Sequence, residues 1–267
     1  MVNEPIWGLA ILKAELFVMT IYRPDIVVYD TVSFECQRTL TVDSTNFLRD
    51  LVSSTKNHCL FAVEDAGQGI QMDLVPITVW LYRVEPVGGQ IVAKWDVGIE
   101  TRNLSVSGSG NVLVTCNGCV KEFNADGTLL RSISLPDGVN IAWQTFQLDA
   151  ERFVVCQGWE DFGPHQVFFM NCAAQLLAGH DGNQCNSGPL NLNNPVYMDV
   201  DGRDGCILVA DSGNHRICLM SPHLVRLRDL LTESDGIFEP YRIVLDLALG
   251  RLYVGTNSKK IFVFRIA

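Results

Sequence analysis

Residues 194–222 read Asn-Pro-Val-Tyr-Met-Asp-Val-Asp-Gly-Arg-Asp-Gly-Cys-Ile-Leu-Val-Ala-Asp-Ser-Gly-Asn-His-Arg-Ile-Cys-Leu-Met-Ser-Pro. Turn formers divide this stretch at three places: Pro195 before the first apolar run, Asp204-Gly205 before the second, and Ser212-Gly213-Asn214 before the third. The runs are short and rich in Val, Ile and Leu, which is how strands read between turns. Gly and Asn accept the positive φ that tight turns need, while Pro supplies no N–H to a ladder. The spacing therefore predicts a strand-turn-strand-turn-strand unit, completed by a fourth strand at Leu224–Leu231.

Looser copies of this unit extend to both ends of the chain. A first unit comprises Ile6–Leu12, Leu16–Ile21, Ile26–Tyr29 and Phe34–Val42, and a second Leu48–Ser53, His58–Val63, Ile77–Arg83 and Gln90–Val97. The third, Asn103–Val106, Asn111–Thr115, Val120–Asn124 and Leu129–Leu135, is punctuated by Asn117-Gly118 and Asp126-Gly127, the strongest short hairpin signals. The fourth is Trp143–Leu148, Arg152–Gln157, Gln166–Met170 and Ala173–Ala178, followed by a polar insertion, His180–Asn194. The last is Tyr241–Leu247, Arg251–Gly255 and Lys260–Ile266, one strand short. Sustained helical periodicity is missing throughout. Arg226–Glu233 is the nearest to it, and its place in the unit makes it a fourth strand.

First strands recur every 40 to 55 residues or so, the period of a four-stranded propeller blade. Six sheets set radially bury both faces of each meander and leave only short edges. The expected fold is all-β: one domain over 1–267, a six-bladed β-propeller with blades at about 5–43, 47–98, 101–137, 141–182, 195–235 and 240–267. Met1–Glu4 is too short to supply a missing strand, so the last blade is expected to be three-stranded.

Composition narrows the functional classes. A net charge of −10 disfavours general binding to phosphate backbones or anionic membranes, which depends on Lys and Arg. The nine cysteines are odd in number and fall mainly in apolar runs, as at Cys36, Cys59, Cys156, Cys206 and Cys218, where free thiols pack as small hydrophobes. With neither a signal-peptide pattern after Met1 nor a bilayer-length apolar run, this predicts a cytoplasmic monomer.

From Val200-Asp201 and Gly205 through Ile217, the central stretch closely resembles the NHL repeat. Pro164-His165-Gln166-Val167 and Gly250-Arg251-Leu252-Tyr253-Val254-Gly255 resemble parts of it. That repeat builds six-bladed propellers in tripartite-motif ubiquitin ligases and in uncharacterised animal proteins. The resemblance implies a platform for protein partners and, in some members, RNA. A RING module needs closely spaced Cys and His zinc ligands, which this sequence lacks, so no ubiquitin ligation is expected from this chain alone.

Candidate sites divide into scaffold and surface. Asp211, Asn214, His215 and Arg216 are the motif residues, and an Asp ending one strand with an Arg opening the next can lock the turn by a charge-assisted hydrogen bond. Cys116-Asn117-Gly118-Cys119 flanks a hairpin turn instead of opening a helix, which favours a structural thiol pair over a redox motif. Asp199, Asp201 and Asp204 lack the later Glu and the flanking helices of a calcium-binding EF-hand. None of the five histidines stands in a zinc-protease motif and no nucleophile elbow is present, so no catalytic residue, metal or cofactor is expected. Alignment of the six first strands places Trp7, Arg49, Arg102, Trp143, Tyr197 and Arg242 at one position, around the channel mouth on the face of the fourth-to-first and second-to-third strand loops. Arg and aromatic residues are favoured at binding hot spots. The expected function is non-enzymatic recognition of a protein or peptide, acidic or extended, at that mouth. Single-stranded RNA binding there and a metal-dependent hydrolase or lyase are the alternatives.

Overall fold

The computed structural model describes residues 4–21, 23–44, 47–64, 78–98, 100–139, 141–158, 164–181, 191–257 and 260–266. Six antiparallel meanders follow one another along the chain. Blade one holds β1 (Ile6–Leu12), β2 (Glu15–Thr20), β3 (Asp25–Asp30) and β4 (Cys36–Thr41). Blade two holds β5 (Leu48–Ser54), β6 (Cys59–Glu64), β7 (Trp80–Val84) and β8 (Ile91–Asp96). Blade three holds β9 (Thr101–Val106), β10 (Val112–Cys116), β11 (Cys119–Phe123) and β12 (Leu129–Ser134), and blade four β13 (Ala142–Gln147), β14 (Arg152–Gln157), β15 (Gln166–Asn171) and β16 (Leu176–Asp181). Blade five holds β17 (Pro195–Val200), β18 (Ile207–Asp211), β19 (Arg216–Met220) and β20 (Arg226–Leu231). Blade six has three strands, β21 (Pro240–Asp246), β22 (Arg251–Thr256) and β23 (Ile261–Arg265).

The first strands touch one another in a closed circuit, from β1 through β5, β9, β13 and β17 to β21 and back to β1. This circuit makes the six meanders a propeller. Burial peaks at the second strands: β6, β10 and β18 are buried along their whole length, whereas the outer strands β4, β8 and β12 alternate toward solvent. The Asn-Gly and Asp-Gly turns act as their sequence requires, with φ of 76° at Gly118 and 87° at Gly127. Among the described residues the only helical segments are two 3-10 turns, Ser212–Asn214 and Glu233–Asp235, and no helix is long and apolar enough to cross a membrane.

Side chains close the ring. Ile6, Leu9, Leu16, Val18 and Tyr253 form one buried cluster between blades one and six. A Cβ on Gly255 would stand 2.6 Å from Ile6 Cγ2, so a glycine is needed where β22 meets β1. Arg251 Nη1 donates to the Thr31 carbonyl, the Tyr253 hydroxyl reaches the same oxygen at 3.4 Å, and the Arg251 guanidinium lies 5.2 Å from the Phe34 ring centroid.

Several strand boundaries differ from the sequence reading. The fourth strand of blade four starts at Leu176, after a turn in which Asn171 Oδ1 accepts the amides of Ala173 and Gln175. β20 starts at Arg226, two residues later than expected, and ends at Leu231 as expected, where Thr232 and Asp235 cap the following 3-10 turn reciprocally. β17 and β21 each begin on a proline, Pro195 and Pro240, one residue before the expected start. The part of the expected strand at 77 and most of the polar insertion, 182–190, lie outside the described residues.

Candidate functional site: two ends of one channel

Every inner strand opens in the same way. Its first residue pairs with the last residue of the second strand, a bulge follows, and pairing then resumes. Ile6↔Thr20, Leu48↔Glu64, Thr101↔Cys116, Ala142↔Gln157, Pro195↔Asp211 and Pro240↔Thr256 are thus equivalent pairs. One step on stand Trp7, Arg49, Arg102, Trp143, Val196 and Tyr241. Two steps on stand Gly8, Asp50, Asn103, Gln144, Tyr197 and Arg242. The expected ring is therefore corrected: Tyr197 and Arg242 lie one residue deeper than the other four. The offset arises because Pro195 and Pro240 are the first residues of β17 and β21 instead of preceding them, as an edge-facing proline can be.

The outer tier is a cross-blade stack. The Arg49 guanidinium lies 6.0 Å from the Trp7 ring centroid and 5.7 Å from that of Trp143, and the Arg102 guanidinium 5.8 Å from Trp143. These distances are at the outer range of cation–π attraction. Tyr241 stacks on Trp7 at 6.1 Å. Trp143 donates its indole N–H to the Gly158 carbonyl, and Arg102 Nε donates to Asn117 Oδ1 at 3.1 Å. Arg49 and Trp143 are buried, while Trp7, Arg102 and Tyr241 keep part of their surface in solvent.

The deeper tier is a buried polar network. Arg242, 1 % exposed, pairs with Asp50, 0 % exposed, at 3.2 Å, and its Nη2 donates to Asn103 Oδ1 at 3.0 Å and the Arg49 carbonyl at 3.3 Å. Its guanidinium lies 4.7 Å from the Tyr197 ring centroid and 4.6 Å from that of Tyr241. Asp50 accepts the amides of Leu51 at 2.9 Å and Leu104 at 2.7 Å. Burial pushes its carboxyl up, and Arg242 with the two amides opposes that. Gln144 accepts the Met198 amide at 2.6 Å and donates to the Leu104 carbonyl at 3.2 Å. An inner strand has one free edge, and these side chains satisfy its amides across blade boundaries. At the sixth place a Cβ on Gly8 would stand 2.8 Å from Leu51 Cβ, so that place carries no side chain.

The motif residues of blade five are joined as a lock. Arg216 Nε pairs with Asp211 at 2.7 Å, Asn214 donates to the same carboxylate at 2.8 Å, and the Asn193 amide donates at 2.6 Å. Asn214 and Arg216 also hold the Asn191 carbonyl, at 2.7 and 2.9 Å. His215 has φ of 53°, stacks on Phe238 at 4.1 Å, and accepts the Glu239 amide on Nδ1 at 3.2 Å. His165 repeats this one blade earlier, accepting the Asn194 amide at 3.2 Å. Both amides belong to positive-φ residues leading into the next inner strand, so each histidine fixes the entry of the following blade. Sequence reading missed this pairing, although both histidines precede a third strand.

The three aspartates considered as a calcium loop do separate work. Asp201 pairs with Arg203 at 2.7 Å, Asp204 accepts the Cys206 amide at 2.9 Å, and Asp199 points to the channel. The eight described cysteines are free thiols. Cys116 and Cys119 face each other across the hairpin, where the Cys116 thiol stabilises the Cys119 thiolate and lowers its pKa to about 6.

At the other end the channel opens into a cavity of about 510 Å³, to which all six inner strands contribute. Its rim lies among the first-to-second-strand turns at Lys13, Thr55 and Ala248, all exposed. Phe146, Val52 and Asp199 line it at equivalent strand positions, with Ile243 beside them, and Tyr197 lies deeper. Asp199 accepts the Val200 amide at 2.8 Å and the Leu245 amide at 2.7 Å. Burial pushes its carboxyl up to about 7. No local pattern announces this site, since its residues come from strand positions spread over all six blades.

No family model matches the chain, nor does any curated protein. Solved structures do. Hydrazine synthase of Kuenenia stuttgartiensis superposes with a TM-score of 0.68 at 11% identity, over 100% of this chain and 96% of that one. A streptogramin B lyase gives 0.63 at 11% identity, over 100% and 85%. A protein of unknown function from Bacteroides caccae gives 0.61 at 12% identity, over 88% and 84%. At such identities the likeness is one of fold alone, and the chain is a six-bladed β-propeller similar in fold to these proteins.

Proposed function

We propose that the chain is a non-catalytic binding propeller, built around an NHL-type fifth blade, that recognises an acidic or extended segment of a protein partner at the mouth lined by Trp7, Arg49, Arg102, Trp143 and Tyr241. The observation that carries this reading is the cross-blade stack. Trp7, Arg102 and Tyr241 offer partly exposed aromatic and guanidinium surface on a buried base of Arg49 and Trp143. Rigid aromatic and Arg surface loses little conformational freedom on binding, the property of hot-spot residues. The carboxylate beneath, Asp50, is committed to Arg242 and two backbone amides, which suits a scaffold better than a proton-transfer group.

The test replaces Trp7 and Arg102 with Ala, singly and together, leaving the buried tier intact. Affinity purification from cell extract should lose the specific protein partners with the double variant while the melting temperature stays near wild type. An unchanged partner set on a folded double variant refutes the reading. Recovery of RNA, with retention falling steeply as salt rises, would reassign the mouth to single-stranded RNA, with bases stacking on the aromatics.

A further inference from the structure

The geometry points to a second site at the far end of the channel: we propose that its cavity binds a small amphipathic organic cation, an arylalkyl- or alkylammonium, with Asp199 as the counter-ion. The cavity, about 510 Å³, is of the size that encloses small molecules. Its walls are mainly apolar, and Phe146 and Tyr197 give it aromatic surface. Among the described residues that line it, the ionic groups are two carboxylates, Asp199 and Asp246, against one ammonium, Lys13 at the exposed rim. Nearby Arg242, set against the Tyr197 ring, is already paired with Asp50.

Asp199 is the better exposed of the two carboxylates. Asp246 is 6 % exposed and its Oδ1 accepts both the Ala248 and Leu249 amides, at 3.0 and 3.1 Å, which close the β21–β22 turn. Asp199 is partly exposed, and each of its oxygens accepts a single amide, from Val200 and from Leu245. A carboxylate oxygen has capacity for two hydrogen bonds, so acceptor sites remain beside the cavity. Among the described residues lining the cavity no cation is paired with Asp199, and a ligand that covered this carboxylate would supply the missing charge through its ammonium. An anionic ligand would add a further negative charge beside Asp199 and Asp246, and a neutral one would leave Asp199 uncompensated. The protein's net charge of −10 further favours the approach of cations.

Calorimetric titration with phenethylammonium, phenethyl alcohol and hydrocinnamate tests the assignment. The amine should bind saturably, about tenfold or more tightly than the alcohol or the acid, as a charge-assisted hydrogen bond requires. Its affinity should rise as pH increases through neutrality and Asp199 ionises, Lys13, Asp246 and Tyr197 being the other titratable groups facing the cavity. D199N should weaken it about tenfold. K13E, at the exposed rim, should tighten it about twofold to fivefold without touching the fold. No saturable binding of the amine, or equal binding of amine and alcohol, overturns the proposal. So does a folded D199N of unchanged affinity, and if D199N fails to fold, unchanged affinity in K13E does the same. The Trp7 and Arg102 variants should bind the amine as wild type does, which separates this site from the partner-binding mouth.

Discussion

One channel runs through the six blades, and its two ends are finished in opposite ways. At the end where the inner strands begin, Arg242, Asp50, Asn103, Gln144 and Tyr197 fill the axis and bond across blades. At the end where those strands finish, the same six strands line a mainly apolar cavity. The bulge explains the difference: it inserts one extra residue at the start of each inner strand, and there the side chains meet. Filling one end secures the ring, which leaves the other end available for a ligand.

If that contrast is right, stability lies at the filled end. The largest effect is expected from R242A, which strands Asp50 in a dry core and should cost about 3–5 kcal/mol, measured as a shift of the urea midpoint at constant slope. A cost below about 1 kcal/mol would mean that water already reaches this tier. W143A should follow closely, at about 3 kcal/mol, because it removes a buried ring and the indole bond to Gly158 together.

The cavity end should reveal itself through pH. Asp199 holds its proton to about 7 in the folded protein, against 3.8 as its ordinary value. Between those values the folded state binds a proton that the unfolded state does not, so stability falls as pH rises and levels off above the upper one. The slope is at most ~1.4 kcal/mol per pH unit. Denaturation of wild type and D199N over this window should show the slope in the first and not in the second; parallel curves would mean that Asp199 is already ionised across it. The smallest effect belongs to R102A at the partly exposed rim, within about 1 kcal/mol, which would confine that residue's importance to binding.

The architecture was legible because it is periodic. Turn formers such as Asp204-Gly205 and Asp126-Gly127 punctuate short apolar runs, and first strands recur every 40 to 55 residues or so. The tiers were not legible, because they depend on which residue opens each inner strand, and Pro195 and Pro240 open β17 and β21 where composition would end a loop. Tyr197 and Arg242 were thus grouped with Trp7 and Trp143, when their partners are Asp50, Asn103 and Gln144. Asp199 was hidden for a related reason: Asp201 and Asp204 are near it in sequence, but it faces the axis while they serve turns on the surface. The cavity joins residues from all six blades, so no stretch of sequence contains it.

The seam between blades one and six has a consequence for the order of folding. Each blade pairs strands that are neighbours in sequence, whereas the bonds from Arg251 and Tyr253 to Thr31 span separations of 220 and 222 residues. Contacts at such separation carry the greatest loop-closure entropy and form late. Blades should therefore assemble from local hairpins, with the join of β22 to β1 among the last events. In hydrogen exchange the amides of β21 to β23 should open at lower free energy than those of β6, β10 and β18, leaving the other five blades as the more persistent cooperative unit.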